Sequence, residues 1–251
     1  MTALGHELIC AGTYCKIQTE KSATFRSSPS ASQLTFTVVC VCVCVCVCVC
    51  VCVPRTDLKK MRESQSADNI QFLPFLTTCL NNLGWLYYGT LKQDQTIILV
   101  NIIGALLQIL YIIMYYHYTK QKRLVMSETF AAGVVLTFGW LYFTVFLTEG
   151  DTRLSQLGLT CSVVTISMYL SPLTDLVEIV RSGNVQCLSF PLTVATFFTS
   201  TSWVLYGLQL NDSYIMVPNT PGIFTSLIRF YLFWRYASVN QSLPSYKSMQ
   251  I

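Results

Sequence analysis

Charge is what this sequence has least of. Asp, Glu, Lys and Arg make up 11% of its 251 residues, under half the share of an average soluble domain, which excludes an ordinary water-soluble fold. Histidine occurs twice and the 12 cysteines form no CxxC pair, so neither a zinc site nor a dithiol redox motif is supported. No Walker A loop, HExxH, GxSxG or paired aspartates in a GxGD context occurs, which leaves enzyme readings without a catalytic constellation and points to no cofactor. The 16 Lys and Arg residues lie in short clusters without interleaved aromatics, unlike a nucleic-acid surface.

Apolar length is what the chain does have. Hydrophobic residues are 53% of it and the mean hydropathy is +0.50. A bilayer core of about 30 Å needs about 20 apolar residues of helix. Seven stretches qualify, near 34–53, 70–91, 95–118, 128–148, 156–180, 187–209 and 213–236. Residues 1–33 are polar, lack the build of a signal peptide, and read as a disordered tail. Residues 237–251 form a second tail. The first stretch is unusual, because seven of the cysteines (Cys40 through Cys52) alternate there with valine. The other five, Cys10, Cys15, Cys79, Cys161 and Cys187, read as free thiols.

The connections carry the charge. Arg55, Lys59, Lys60, Arg62, Lys120, Lys122, Arg123, Arg181, Arg235 and Lys247 fall on one side, against Lys92 and Arg153 on the other. By the positive-inside rule the C-terminus is cytosolic and, with seven spans, the N-terminus is outside or lumenal. Lys16, Lys21 and Arg26 in the N-terminal tail run against this, at a distance from the span at which tails can translocate.

Residues 118 positions apart repeat. Pro54-x-Thr56-Asp57-Leu58 matches Pro172-x-Thr174-Asp175-Leu176, and the register continues through Trp85/Trp203, Tyr88-Gly89/Tyr206-Gly207, Asp94/Asp212, Ile97/Ile215, Asn101/Asn219, Gly104/Gly222 and Tyr118/Tyr236. The fold expected is an all-α membrane protein of seven transmembrane helices, two parallel three-helix repeats (34–118 and 155–236) joined by a linker helix (119–154) that inverts the chain. Parallel repeats put a substrate path at their interface near the bilayer midplane.

Asn101 and Asn219 lie in apolar helices about 10 Å from the lumenal ends. Two amides offering donors and acceptors to a central cavity suit a neutral polyhydroxylated ligand, although asparagine also serves as interhelical glue. Trp85 and Trp203 offer faces on which sugars stack, yet Trp is equally at home in an interfacial belt. Tyr88 and Asp212, each near a lumenal helix end, can pair as an outer gate or stand apart as solvated loop residues. Pro54, Pro74, Pro172 and Pro191 fall near cytosolic helix ends, where proline makes a hinge or simply marks a boundary. With Arg229 and Glu178 near the cytosolic ends, no charged relay crosses the spans, which favours passive flux over proton or sodium coupling.

Asp68-Asn-Ile-Gln-Phe-Leu-Pro-Phe-Leu, Trp85-Leu-Tyr-Tyr-Gly, Val100-Asn, Tyr169-Leu-Ser-Pro-Leu, Leu188-Ser-Phe-Pro-Leu, Trp203-Val-Leu-Tyr-Gly and Val217-Pro-Asn together resemble the SWEET (MtN3/saliva) sugar transporters, in particular their animal members. The resemblance runs from about Pro54 to Tyr236. It implies passive, bidirectional movement of hexoses such as glucose by alternating access between two three-helix bundles, with no cofactor or metal. It further implies a sugar site at Asn101, Asn219, Trp85 and Trp203, an outer gate at Tyr88 and Asp212, and prolines acting at the cytosolic side. Residence in Golgi and plasma membranes and assembly as homo-oligomers follow from it too. The Val-Cys run departs from the family's mixed first helix. It is what a dinucleotide repeat in a coding strand translates to, which fits an alternative start or a gene-model artefact joined near Pro54. A sorting receptor of related architecture, with charged groups lining its cavity, and a non-transporting isoform are the alternatives.

Overall fold

The computed structural model describes residues 58–68, 70–169, 176–177, 180–181 and 190–241, with side chains described as far as 236. The Val-Cys run, Pro54 and Pro172 lie outside the described residues. Six long helices account for most of the rest, and no strand occurs among the described residues: α1 (Leu73–Lys92), α2 (Gln95–Tyr118), α3 (Lys122–Leu141), α4 (Gly150–Met168), α5 (Phe190–Leu210) and α6 (Ser213–Gln241). A π-helical turn, Tyr142–Phe146, extends α3.

Two hairpins built by the same chemistry carry the repeat. At the end of α1, Gln93 turns left-handed (φ 59°), and Asp94 then caps α2, its Oδ1 accepting from the N–H groups of Thr96 and Ile97 at 2.9 and 3.0 Å. At the end of α5, 118 residues on, Asn211 does the same (φ 52°), and Asp212 Oδ1 accepts from Tyr214 N–H at 3.0 Å. An aspartate in this position satisfies backbone donors left over at the first turn of a helix. Glycine lets each pair of helices converge. A Cβ at Gly89 would lie 2.9 Å from Ile97 Cγ2, and one at Gly207 would lie 2.9 Å from Met216 N.

Antiparallel packing of α1 with α2 and of α5 with α6 gives two helix pairs, and α4 packs against both α1 and α6. The central apolar cluster draws on each side: Trp85, Tyr88 and Ile97 meet Leu157, Cys161, Tyr206 and Ile215. A second cluster closes the far end, where Met61 and Ala67 tuck against Phe72, Leu76, Tyr115 and Val125, and the Tyr115 hydroxyl donates to the Ile70 carbonyl at 3.0 Å. Close by, the Ser66 hydroxyl and the Lys120 ammonium, 3.2 Å away, hold the exposed Asp68 carboxyl below the usual carboxylate range.

Apolar side chains also cover the outside. α3 buries only Val125 along its length, and Phe130, Phe138 and Phe146 are about three-quarters exposed. Such a surface fits hydrocarbon rather than water. By length and composition alone, α2 and α3 with its π turn are apolar enough to cross a membrane. Helix bounds differ from the hydropathy reading mainly at charged ends: α3 starts at Lys122 rather than 128, and α4 at Gly150 rather than 156, with Asp151 in its first turn. An acid there favours the helix dipole, so the helix extends beyond its apolar part.

Candidate functional site

Between the two helix pairs lies a cavity of about 170 Å³. Its lining follows the repeat in part: Trp85 and Trp203, Asn101 and Asn219, and Ile97 and Ile215 all contribute to it, and Asn81 on α1 has Thr199 on α5 as its counterpart. The four residues expected at the sugar site are thus brought together around one space. Asn101 and Asn219 are held alike, each Nδ2 donating at 2.8 Å to a carbonyl one turn back, of Ile97 and Ile215. That leaves each amide one hydrogen and its oxygen for the cavity.

Trp85 is fixed by a relay across the halves. Its Nε1–H donates to Thr165 Oγ1 at 3.0 Å, and that hydroxyl lies 2.8 Å from Asn81 Oδ1 and 2.9 Å from the Cys161 carbonyl. Two cavity-lining polar atoms have no hydrogen-bond partner, Asn82 Nδ2 and Thr199 Oγ1. None of the lining side chains is ionisable. The set of amides, hydroxyls and indoles matches a neutral ligand rich in hydroxyl groups and offers nothing to a charged peptide. Among the described residues no group of three metal-binding side chains occurs.

Two crossed pairs tie the helix hairpins together. The Tyr88 hydroxyl donates to Asp212 Oδ2 at 2.7 Å, and the Tyr206 hydroxyl lies 2.9 and 2.8 Å from the two oxygens of Asp94. Each pair joins one helix hairpin to the other, so the ends of α1 and α5 cannot separate without breaking both. Lys92 forms an ion pair with Asp212 and stands 5.8 Å from the centre of the Tyr88 ring, a cation–π distance. In the second pair the position equivalent to Lys92 is Leu210.

Asp94–Tyr206, Lys92, Asn81, Asn82, Thr165 and Thr199 were not reached from the sequence. Applying the 118-residue register to the Tyr88–Asp212 pair yields Tyr206–Asp94 at once, and the register also couples Asn81 with Thr199. Thr165 carries no such mark, since its counterpart is Val47 in the Val-Cys run. Pro74 and Pro191 each sit in the first turn of a helix, where proline forfeits no intrahelical hydrogen bond. Among the described residues, the prolines inside a helix are Pro218 and Pro221 of α6. Proline at 218 frees the Tyr214 carbonyl, which accepts from Ser162 Oγ of α4 at 2.8 Å.

An internally repeated all-helical membrane protein, with a neutral polar cavity between its repeats, is the class that this geometry defines. The family model described as "sugar efflux transporter for intercellular exchange" matches the chain twice, over residues 35–123 and 155–241. The chain is 68% identical over 196 residues to the zebrafish (Danio rerio) protein "Sugar transporter SWEET1", covering 78% of this chain and 90% of that one. Against the human (Homo sapiens) protein of that name it is 57% identical over 181 residues, 72% of this chain and 82% of the other. It superposes on a solved structure, "The 3.7 A resolution structure of a eukaryotic SWEET transporter", with a TM-score of 0.73 and 28% identity, over 81% of this chain and 97% of that one. The chain belongs to the MtN3/saliva (SWEET) family, whose members are transporters rather than enzymes and are themselves an example of the parallel-repeat architecture. The first matched stretch begins at residue 35 and so takes in the Val-Cys run.

Proposed function

We propose that this protein is a passive, bidirectional hexose transporter that carries glucose by alternating access between its two halves. The reading assigns residues 34–118 and 155–236 to the halves and 119–154 to the linker, with polar tails at either end. The observation that carries it is the convergence of Asn101, Asn219, Trp85 and Trp203, two from each half, on one uncharged cavity. A sugar stacks its C–H faces on the indoles and exchanges hydrogen bonds with the amides. The Tyr88–Asp212 and Tyr206–Asp94 pairs form the outer gate, and the cavity opens to one side when they part and to the other when they hold. No charged relay accompanies the ligand, so flux follows the sugar gradient. Pro54, Pro74, Pro172 and Pro191 bound the moving helices at the cytosolic side, and Pro218, which removes a backbone hydrogen bond inside α6, supplies flexibility there.

With the C-terminus cytosolic and the N-terminus outside or lumenal, the gate faces the lumen or the cell exterior. The protein resides in Golgi and plasma membranes as a homo-oligomer. A non-transporting form is the second reading, favoured by the Val-Cys run standing where a fitted helix belongs.

Labelled glucose uptake in hexose-transport-deficient cells tests both. Uptake by the wild-type chain, reduced at least 10-fold in Asn101→Ala and Asn219→Ala at equal surface expression, is the expected result. Uptake indifferent to both substitutions removes the site. Absence of uptake, restored by grafting an ordinary apolar helix over residues 34–53, assigns the native chain to the non-transporting form.

A further inference from the structure

Two polar residues of the cavity wall, Thr165 and Asn82, stand outside the twofold repeat, and of these the Thr165 hydroxyl is taken up by Trp85 and Asn81 whereas the Asn82 amide is not. Its Nδ2 is shut off from solvent, has no hydrogen-bond partner, and lines the cavity. It stands over bare backbone, for a Cβ built on Gly104 would lie 2.7 Å from it. The counterpart position, Ser200 over Gly222, is occupied differently: the Ser200 hydroxyl is 3.4 Å from that of Tyr169 and is not part of the cavity wall. Buried amide groups without partners are rare in folded proteins, because the lost hydration is not returned. An amide left unpaired here, like the Thr199 hydroxyl of the same wall, marks a place where a ligand atom completes the set.

A cavity with true twofold symmetry would accept an asymmetric ligand in two opposed orientations. Resting on the sugar-transport reading above, we propose that Asn82 sets the orientation of the sugar: its Nδ2–H donates to one hydroxyl oxygen of the bound pyranose, from the first half only. Asn101 and Asn219, being equivalent, hold the sugar in place without ranking its two orientations. Gly104 is the positioning partner, since its missing side chain leaves the amide room to lie along α2 facing the cavity.

The test is uptake of labelled glucose competed by the series of monodeoxyglucoses, for wild type, Asn82→Ala and Asn82→Leu. Loss of one neutral hydrogen bond raises the half-inhibiting concentration about 2- to 12-fold. The expectation is that both substitutions weaken glucose and every analogue by that factor except one, the analogue lacking the hydroxyl that Asn82 reads. Asn82→Leu should also leave the thermal unfolding midpoint of the purified protein unchanged or raised, because it replaces an unpaired buried amide by an apolar group of similar size. Equal weakening of all analogues, no weakening, or recovery of wild-type values in the leucine variant overturns the proposal by reducing Asn82 to packing. Failure of the wild-type chain to take up glucose at all is a different outcome, which removes the transport reading and this assignment with it.

Discussion

Removing one hydroxyl from the Tyr88–Asp212 pair, by Tyr88→Phe, should shift the conformational balance without unfolding the protein. Tyr88 is 1% exposed and Asp212 6%, so their bond is made out of water. Asp212 keeps its Lys92 partner and its bond to Tyr214 N–H, and no charge is orphaned. The loss is therefore the bond itself, about 1.5–3 kcal/mol for a hydrogen bond to a charged group, or roughly a 10- to 150-fold change in the ratio of closed to open molecules. A population closed to about 99% would fall to between about 90% and 40%. Tyr206→Phe should act the same way, with Asp94 keeping the Thr96 and Ile97 amides, and the double variant should add the two effects. Residues 95 and 213 are exposed at the starts of α2 and α6, one in each half. Spin labels placed there through a noncanonical amino acid leave the native cysteines unlabelled, and pulsed dipolar spectroscopy in nanodiscs then reads the share of long distances. Unchanged distance distributions in both single variants would refute the idea that these pairs hold the closed state.

Three further outcomes follow from local geometry. Ser162→Ala strips the Tyr214 carbonyl of its partner beside Pro218 and should cost about 1–3 kcal/mol, seen as a lowered unfolding midpoint in detergent. Gly104→Ala places a methyl 2.7 Å from Asn82 Nδ2; the side chain swings aside, so folding survives while the half-saturating glucose concentration in uptake assays rises several-fold, by about 2- to 12-fold. Asp68 is held low chiefly by Ser66 and then Lys120; a carboxyl depressed in the fold stabilises above its unfolded pKa and loses that effect as pH falls through the folded value. As the Asp68–Lys120 pair is exposed, Lys120→Gln should leave the unfolding midpoint at neutral pH unchanged.

Much of the site was legible because the sequence states it twice. A register of 118 residues marks Trp85/Trp203 and Asn101/Asn219 as pairs, and the paired positions line a single cavity. The same register contained the second tyrosine–aspartate pair, Tyr206 with Asp94, which a reading of Tyr88 and Asp212 in isolation overlooks. Thr165 and Asn82 were out of reach for a physical reason: each departs from the repeat, and its position depends on how α4 and α1 cross rather than on local pattern. Helix ends were misplaced where charge and helix overlap, as at Lys122, because hydropathy locates hydrocarbon while hydrogen bonding decides helix. The prolines show the converse limit. Sequence position cannot separate a first-turn proline such as Pro74 from one that breaks a bond inside a helix, as Pro218 does.

Counterflow in proteoliposomes holding the purified, full-length chain tests the central claim most directly. Vesicles loaded with unlabelled glucose and diluted into trace labelled glucose, with no ion gradient or potential, should accumulate label transiently above equilibrium, and Asn101→Ala with Asn219→Ala should abolish the overshoot. Label that never exceeds equilibrium in vesicles shown to contain folded protein, or an overshoot that survives the double substitution, would contradict a passive sugar carrier working through this cavity.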